Sequence, residues 1–125
     1  LQKNGHTLYV ATSKPEIYAE RIIDHFGLHR YFKCIFGSEL DGTRSDKTSL
    51  ISHILKRELI APSETSMIGD RVHDIVGATQ NGLYGFGVLW GYGTKDELEN
   101  SGATAFFKTP RELVTAFNGK PELAL

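Results

Sequence analysis

The stretch Gly69-Asp70-Arg71-Val72-His73-Asp74 carries the densest chemistry in this chain. An apolar run leads into it and a helical pattern follows, so its two carboxylates fall where a strand becomes a helix. Asp70 and Asp74 are about one helical turn apart, on the same side. Such a pair can offer one carboxylate to a hard cation and hold the other behind it. The same spacing also suits a cap at Asp70 and a solvated Asp74. Thr12 and Ser13 end an earlier apolar run and precede another helix. Hydroxyls beside free helix N–H groups can bind a small anion, or serve only as caps. Lys47 opens a third helical pattern, where a cation opposes the macrodipole. Its placement points to a negative partner, a phosphate or a carboxylate; an ordinary surface lysine is the alternative.

The elements that must position these residues alternate along the chain. Short β-rich runs fall at 8–11, 33–37, 66–68, 84–90 and 103–108. Helical patterns fall at 15–26, 47–59, 72–81 and 94–101, and a last helix opens at Thr109-Pro110. The first helix places Ala19, Ile22, Ile23 and Phe26 on one stripe. The second turns Leu50, Ile51, Ile54, Leu55 and Leu59 inward. Ser13 with Glu16, and Thr94 with Glu97, read as capping boxes, while Gly27 and Gly82 suit helix ends. Strands alternating with helices imply an α/β fold with a doubly wound parallel sheet. Ligands of such sheets gather at the carboxyl ends of the strands. The polar segments there are 12–14, 38–47, 70–74 and 91–94.

Composition narrows the function classes. The chain has 125 residues, 40% of them hydrophobic and 23% charged, which excludes a disordered tail and fits one domain. The expected boundaries are a core over 1–119 and a frayed tail over 120–125. A net charge of −1 supplies no basic field for nucleic acid or an anionic membrane. The longest uncharged run, 75–94, is interrupted by glycines and polar residues and does not read as a membrane span. The one cysteine, Cys34, excludes an intramolecular disulfide framework and fits a reducing, cytoplasmic setting. It reads as an inert core thiol. His6, His25, His29 and His53 show no metal-ligand spacing with one another and read as surface residues, and His73, inside the motif loop, reads as a solvated surface histidine or as one that approaches a substrate. Trp90 and Tyr92 either line the strand ends or pack beneath their loop.

Hydroxyl, lysine and paired aspartates thus follow three consecutive parallel strands. In this order the sequence resembles the haloacid dehalogenase superfamily of phosphohydrolases. Leu8-Tyr9-Val10-Ala11-Thr12 matches its second motif, Ser45-Asp46-Lys47 its third, and Gly69 through Asp74 its fourth. The segments 11–15, 40–44 and 88–93 look most like the phosphoglycolate-phosphatase-like branch. The resemblance implies a Rossmann-like core and magnesium-dependent hydrolysis of a small phosphorylated metabolite through an aspartyl-phosphate. It implies that Thr12 and Ser13 bind the phosphate and that Lys47 neutralises its charge. It further implies that Asp70 holds Mg²⁺, with Asp74 beside it as a second metal-site and catalytic carboxylate.

One part of the family pattern does not occur. The first motif, Asp-x-Asp-x-Thr, supplies the nucleophile, and no segment of this chain matches it. Glu39-Leu40-Asp41-Gly42-Thr43 imitates its tail and reads as a decoy. The chain opens at Leu1, and its only methionine is Met67. It therefore reads as the later portion of a core truncated at its N-terminus, with 1–6 as the last turn of a helix. The expected missing strand lies between the strands ending at Thr12 and Asp70. A companion strand, from an N-terminal segment or a second copy, is the expected partner. The 125 residues alone are expected to be inactive. A non-catalytic binding module is the alternative reading.

Overall fold

The computed structural model describes residues 5–117. Five strands and five α-helices alternate: β1 (Tyr9–Pro15), α1 (Glu16–His25), β2 (Cys34–Ser38), α2 (Lys47–Glu58), β3 (Ser66–Gly69), α3 (Val72–Gln80), β4 (Tyr84–Val88), α4 (Lys95–Glu99), β5 (Ala105–Phe107) and α5 (Pro110–Phe117). All strand pairs are parallel. Among the described residues the strands form two sheets, β1-β2 and β3-β4-β5, with no pairing between β1 and β3. Strand burial follows this division. Residues 35–38 of β2 and 85–88 of β4 are buried, while 9–12 of β1 and 66–68 of β3 are only half-buried. The two strands that flank the break are thus less covered than β2 and β4, as is β5 at the far edge, where residues 105 and 106 are half-buried.

α2 holds the two sheets together. Asp46 caps it by accepting a hydrogen bond from the Ser49 amide at 2.9 Å. Leu50 and Ile54 pack on Phe36 of β2. Ile51, a residue away around the helix, packs on Ala78 of α3 and Leu83. Full burial of such side chains stabilises by about 1.5–3 kcal/mol each, so one helix face anchors both halves. A third cluster of Phe86, Phe107, Leu113 and Phe117 seals β4 and β5 against α5.

Several expectations need correction. The first strand does not stop at Ala11: it runs to Pro15, with an irregularity between Ala11 and Pro15, and Pro15 pairs with Ser38. Lys14 precedes a proline, which favours extended backbone. Thr12 and Ser13 are consequently strand residues, and Ser13 is too early to cap α1. No side chain caps that helix. The Ser13 carbonyl accepts from Ser38 Oγ, and Glu16 Oε1 accepts from the Gly37 amide instead. The apolar stripe of α1 buries only Ala19; Ile22 and Phe26 are exposed. Leu59 is 91% exposed, because it ends α2 in a left-handed conformation (φ 54°) beyond the last inward turn. β4 ends at Val88, two residues early. Trp90 is half-exposed and Tyr92 is 94% exposed, so neither packs beneath the loop. Cys34 is half-buried beside the Phe36 cluster. His6 sits edge-on to Phe117 rather than in a helical turn. The expected helix turn otherwise falls on residues 1–4, and the expected domain boundary at 119–120 on residues 118–125, all outside the described residues.

Candidate active site

A cleft of about 370 Å³ opens where β1 and β3 face each other across the break. Ala11, Thr12, Ser13 and Lys14 line it from β1, and Met67, Ile68 and Gly69 from β3. Lys47, Asp70, His73 and Asp74 complete it. All five residues singled out by sequence, Thr12, Ser13, Lys47, Asp70 and Asp74, therefore meet at one cavity. The Glu39–Thr43 loop does not line it. There Glu39 pairs with Arg44 at 3.0 Å, and Asp41 accepts from the Thr43 amide. The Thr43 hydroxyl and amide hold the Asp41 carboxyl below its ordinary value.

Lys47 is the most constrained of the five. It is the first residue of α2 and only 8% exposed. Its Nζ donates to the Ala11 carbonyl and lies against Asp74 Oδ1, both at 2.9 Å. The carboxylate alternative for its partner is thus realised inside the protein. Asp74, 5% exposed, is equally committed, since its Oδ2 accepts from the Arg71 amide at 3.2 Å. The Asp74 amide donates to the Arg71 carbonyl, which closes the first turn of α3. Asp74 is therefore not a solvated helix residue. Gly69 permits this approach, because a Cβ there would lie 2.3 Å from the Asp74 carboxylate. His73 Nε2 lies 3.8 Å from Asp74 Oδ1 and stays largely exposed.

Asp70 differs from Asp74. It does not cap α3; its Oδ2 accepts from the Tyr92 amide at 2.8 Å. Its Oδ1 has no protein donor among the described residues. Gly91 and Gly93 make this seat, because a Cβ on either would meet Asp70 atoms at 2.3 Å and 1.8 Å. Thr12 keeps its hydroxyl close to home, accepting from the Lys14 amide at 3.2 Å.

Tested for a divalent cation, this donor set fits in part. Asp70 Oδ1 is one free carboxylate oxygen, while both Asp74 oxygens are used and a buried ammonium lies beside them. No group of three or more metal-ligating side chains occurs among the described residues. Mg²⁺ wants about six oxygens and keeps waters where the protein supplies few.

Sequence reasoning missed four contributors. Ser38 and Glu16 fix the end of β1 against β2, and the Ala11 carbonyl fixes Lys47. Glu97 is the fourth. Thr94 does accept from the Glu97 amide at 3.1 Å, but the expected return bond is replaced: Glu97 Oε1 accepts from the Val72 amide and from Arg71 Nε, each at 3.0 Å. The Val72 bond and the Arg71 cation hold the Glu97 carboxyl below its ordinary value, and that carboxylate raises Arg71. A capping-box pattern on a five-residue helix was the only visible signal.

Known proteins resemble this chain in sequence and in fold. A 5'-nucleotidase of Pseudomonas aeruginosa is 55% identical over 94 residues, 75% of this chain and 42% of that protein. The tyrosine-protein kinase PtkA of Mycobacterium tuberculosis is 39% identical over 104 residues, 83% of this chain and 36% of its own length. The crystal structure of a predicted phosphatase from Clostridium acetobutylicum superposes with a TM-score of 0.89 at 39% identity, covering 91% of this chain and 53% of that one. The chain thus spans about half the length, or less, of these relatives. Residues 1–88 match the family model of haloacid dehalogenase-like hydrolases, and with a parallel α/β core of the same shape the chain belongs to that family.

Proposed function

We propose that this chain is the phosphate-handling portion of a phosphatase that hydrolyses a small phosphate monoester. The carrying observation is the convergence of Thr12, Lys47, Asp70 and Asp74 on one cleft at the carboxyl ends of β1 and β3. The relative named 5'-nucleotidase and the structure described as a predicted phosphatase support the same reading here. Thr12 and Ser13 would donate to phosphoryl oxygens. Lys47 would neutralise charge that grows on them in the transition state, from a position already fixed by Ala11 and Asp74. Asp74 serves by orienting Lys47 and the α3 turn. Asp70 would hold Mg²⁺ through Oδ1; when bound, the ion would offset charge between nucleophile and phosphate.

Hydrolysis through an aspartyl-phosphate needs a free carboxylate nucleophile. Both Asp74 oxygens are taken by Lys47 and the Arg71 amide, and the free Oδ1 of Asp70 is reserved for the cation, so the nucleophile is assigned, as the family's Asp-x-Asp-x-Thr motif implies, to a strand that fills the break between β1 and β3. Either a further segment of the same protein or a second copy could bring it. The free thiol Cys34 is consistent with a reducing, cytoplasmic setting. Among the described residues no helix is long and apolar enough to cross a membrane.

Phosphate release from a panel of monoesters tests the proposal, using the chain alone and the chain fused behind an apolar strand bearing Asp-x-Asp-x-Thr. Magnesium-dependent release by the fusion, lost in Lys47→Ala and Asp70→Asn, is the expected result. Phosphate binding without turnover in every form would instead favour the binding-module reading.

A further inference from the structure

We infer that Glu97 is a positioning residue for Asp70, acting through the loop that joins β4 to α4; the functional meaning of this role rests on the phosphatase reading. The links form a closed ring. Asp70 Oδ2 accepts from the Tyr92 amide at 2.8 Å. Two residues after Tyr92, Thr94 starts α4 and accepts from the Glu97 amide. Glu97 Oε1 then returns to the Val72 amide, two residues after Asp70, and to Arg71 Nε.

Each link has a physical reason. The Val72 amide is one of the unsatisfied donors that every helix start presents, here at the start of α3. A carboxylate is favoured there by charge and by the dipole. Leu98, fully buried, anchors α4 next to Glu97. Gly91 and Gly93 bring the loop backbone directly onto Asp70, closer than any side-chain-bearing residue could come. With Oδ2 held in this way, Oδ1 is the oxygen left for a ligand. Opening the ring at Glu97 frees the loop, and with it the Asp70 carboxylate.

Amide hydrogen exchange on the 125-residue chain tests this without reference to hydrolysis, so its failure and that of the phosphatase reading are separate outcomes. In Glu97→Ala the Tyr92 amide should exchange at least tenfold faster, with β2 amides changed less than twofold. Glu97→Gln retains an acceptor oxygen and should restore Tyr92 to within threefold of the parent. An unchanged Tyr92 amide in Glu97→Ala, no rescue by Gln, or equal acceleration in β2 would each overturn the inference. If Glu97→Ala does not fold, Glu97→Asp, one methylene short of Val72, should show the same local loss. Unfolding of both variants would assign Glu97 a global structural role and overturn the inference as well.

Discussion

At the scale of single residues, the buried pair Lys47–Asp74 dominates. Neither side chain reaches water freely, so removing one partner strands the other's charge. Lys47→Met should lower unfolding stability by about 3 kcal/mol, whereas Lys47→Met with Asp74→Leu should recover part of that loss. Denaturant titration of the two variants checks this; a single variant no less stable than the double would contradict it. Glu97 adds a pH dependence. Its folded carboxyl titrates below its ordinary value. Its contribution is therefore present above the unfolded value, about 4.3, and is lost as pH falls through the lower folded value. The parent should lose more stability on acidification through that window than Glu97→Gln does, as thermal melts at stepped pH would show. Equal losses would remove Glu97 from the acid response.

At the scale of elements, five strands and five helices were legible because apolar period and cap chemistry coincide. The Thr94 cap forms as expected, and Thr109 accepts from the Glu112 amide at 3.2 Å; Asp46 caps α2 without having been singled out. What was not legible came from tertiary context. Ser13 and Glu16 satisfy a local pattern, yet pairing of β1 with β2 carries the chain past the capping geometry: the Ser13 carbonyl accepts from Ser38 Oγ, and the Glu16 carboxylate accepts from the Gly37 amide of β2. Glu97 matches a box, but the amide of a neighbouring helix outcompetes that of its own. Helical periodicity puts Ala19, Ile22, Ile23 and Phe26 on one stripe, of which only Ala19 is buried. The caps yield a graded test. Asp46→Ala and Thr94→Ala should each cost about 1 kcal/mol. Ser13→Ala should leave the α1 helix unchanged, because its hydroxyl caps nothing. A Ser13→Ala loss as large as that of Asp46→Ala would restore the capping-box reading.

At the scale of the whole molecule, the break between β1 and β3 organises everything else. The family resemblance implies a strand there, and among the described residues β1 and β3 belong to separate sheets. The same break forms the cleft, so the fold's opening and the candidate site are one feature. β4 is paired on both sides, while β1 and β3 each have one partner. Backbone groups on the free edges must turn to water or to another chain, since burying them unpaired costs about 1–3 kcal/mol each. In the monomeric chain, amides of β1 and β3 that face the break should therefore exchange much faster than those of β4. A peptide able to add as a parallel strand should slow them selectively. Light scattering during the same experiment separates the alternatives. Protection of β1 and β3 equal to β4 in a particle of twice the mass would mean that a second copy fills the break. Equal protection in a particle of monomer mass would mean that the two edges close on each other, and the placement of a companion strand would then be wrong.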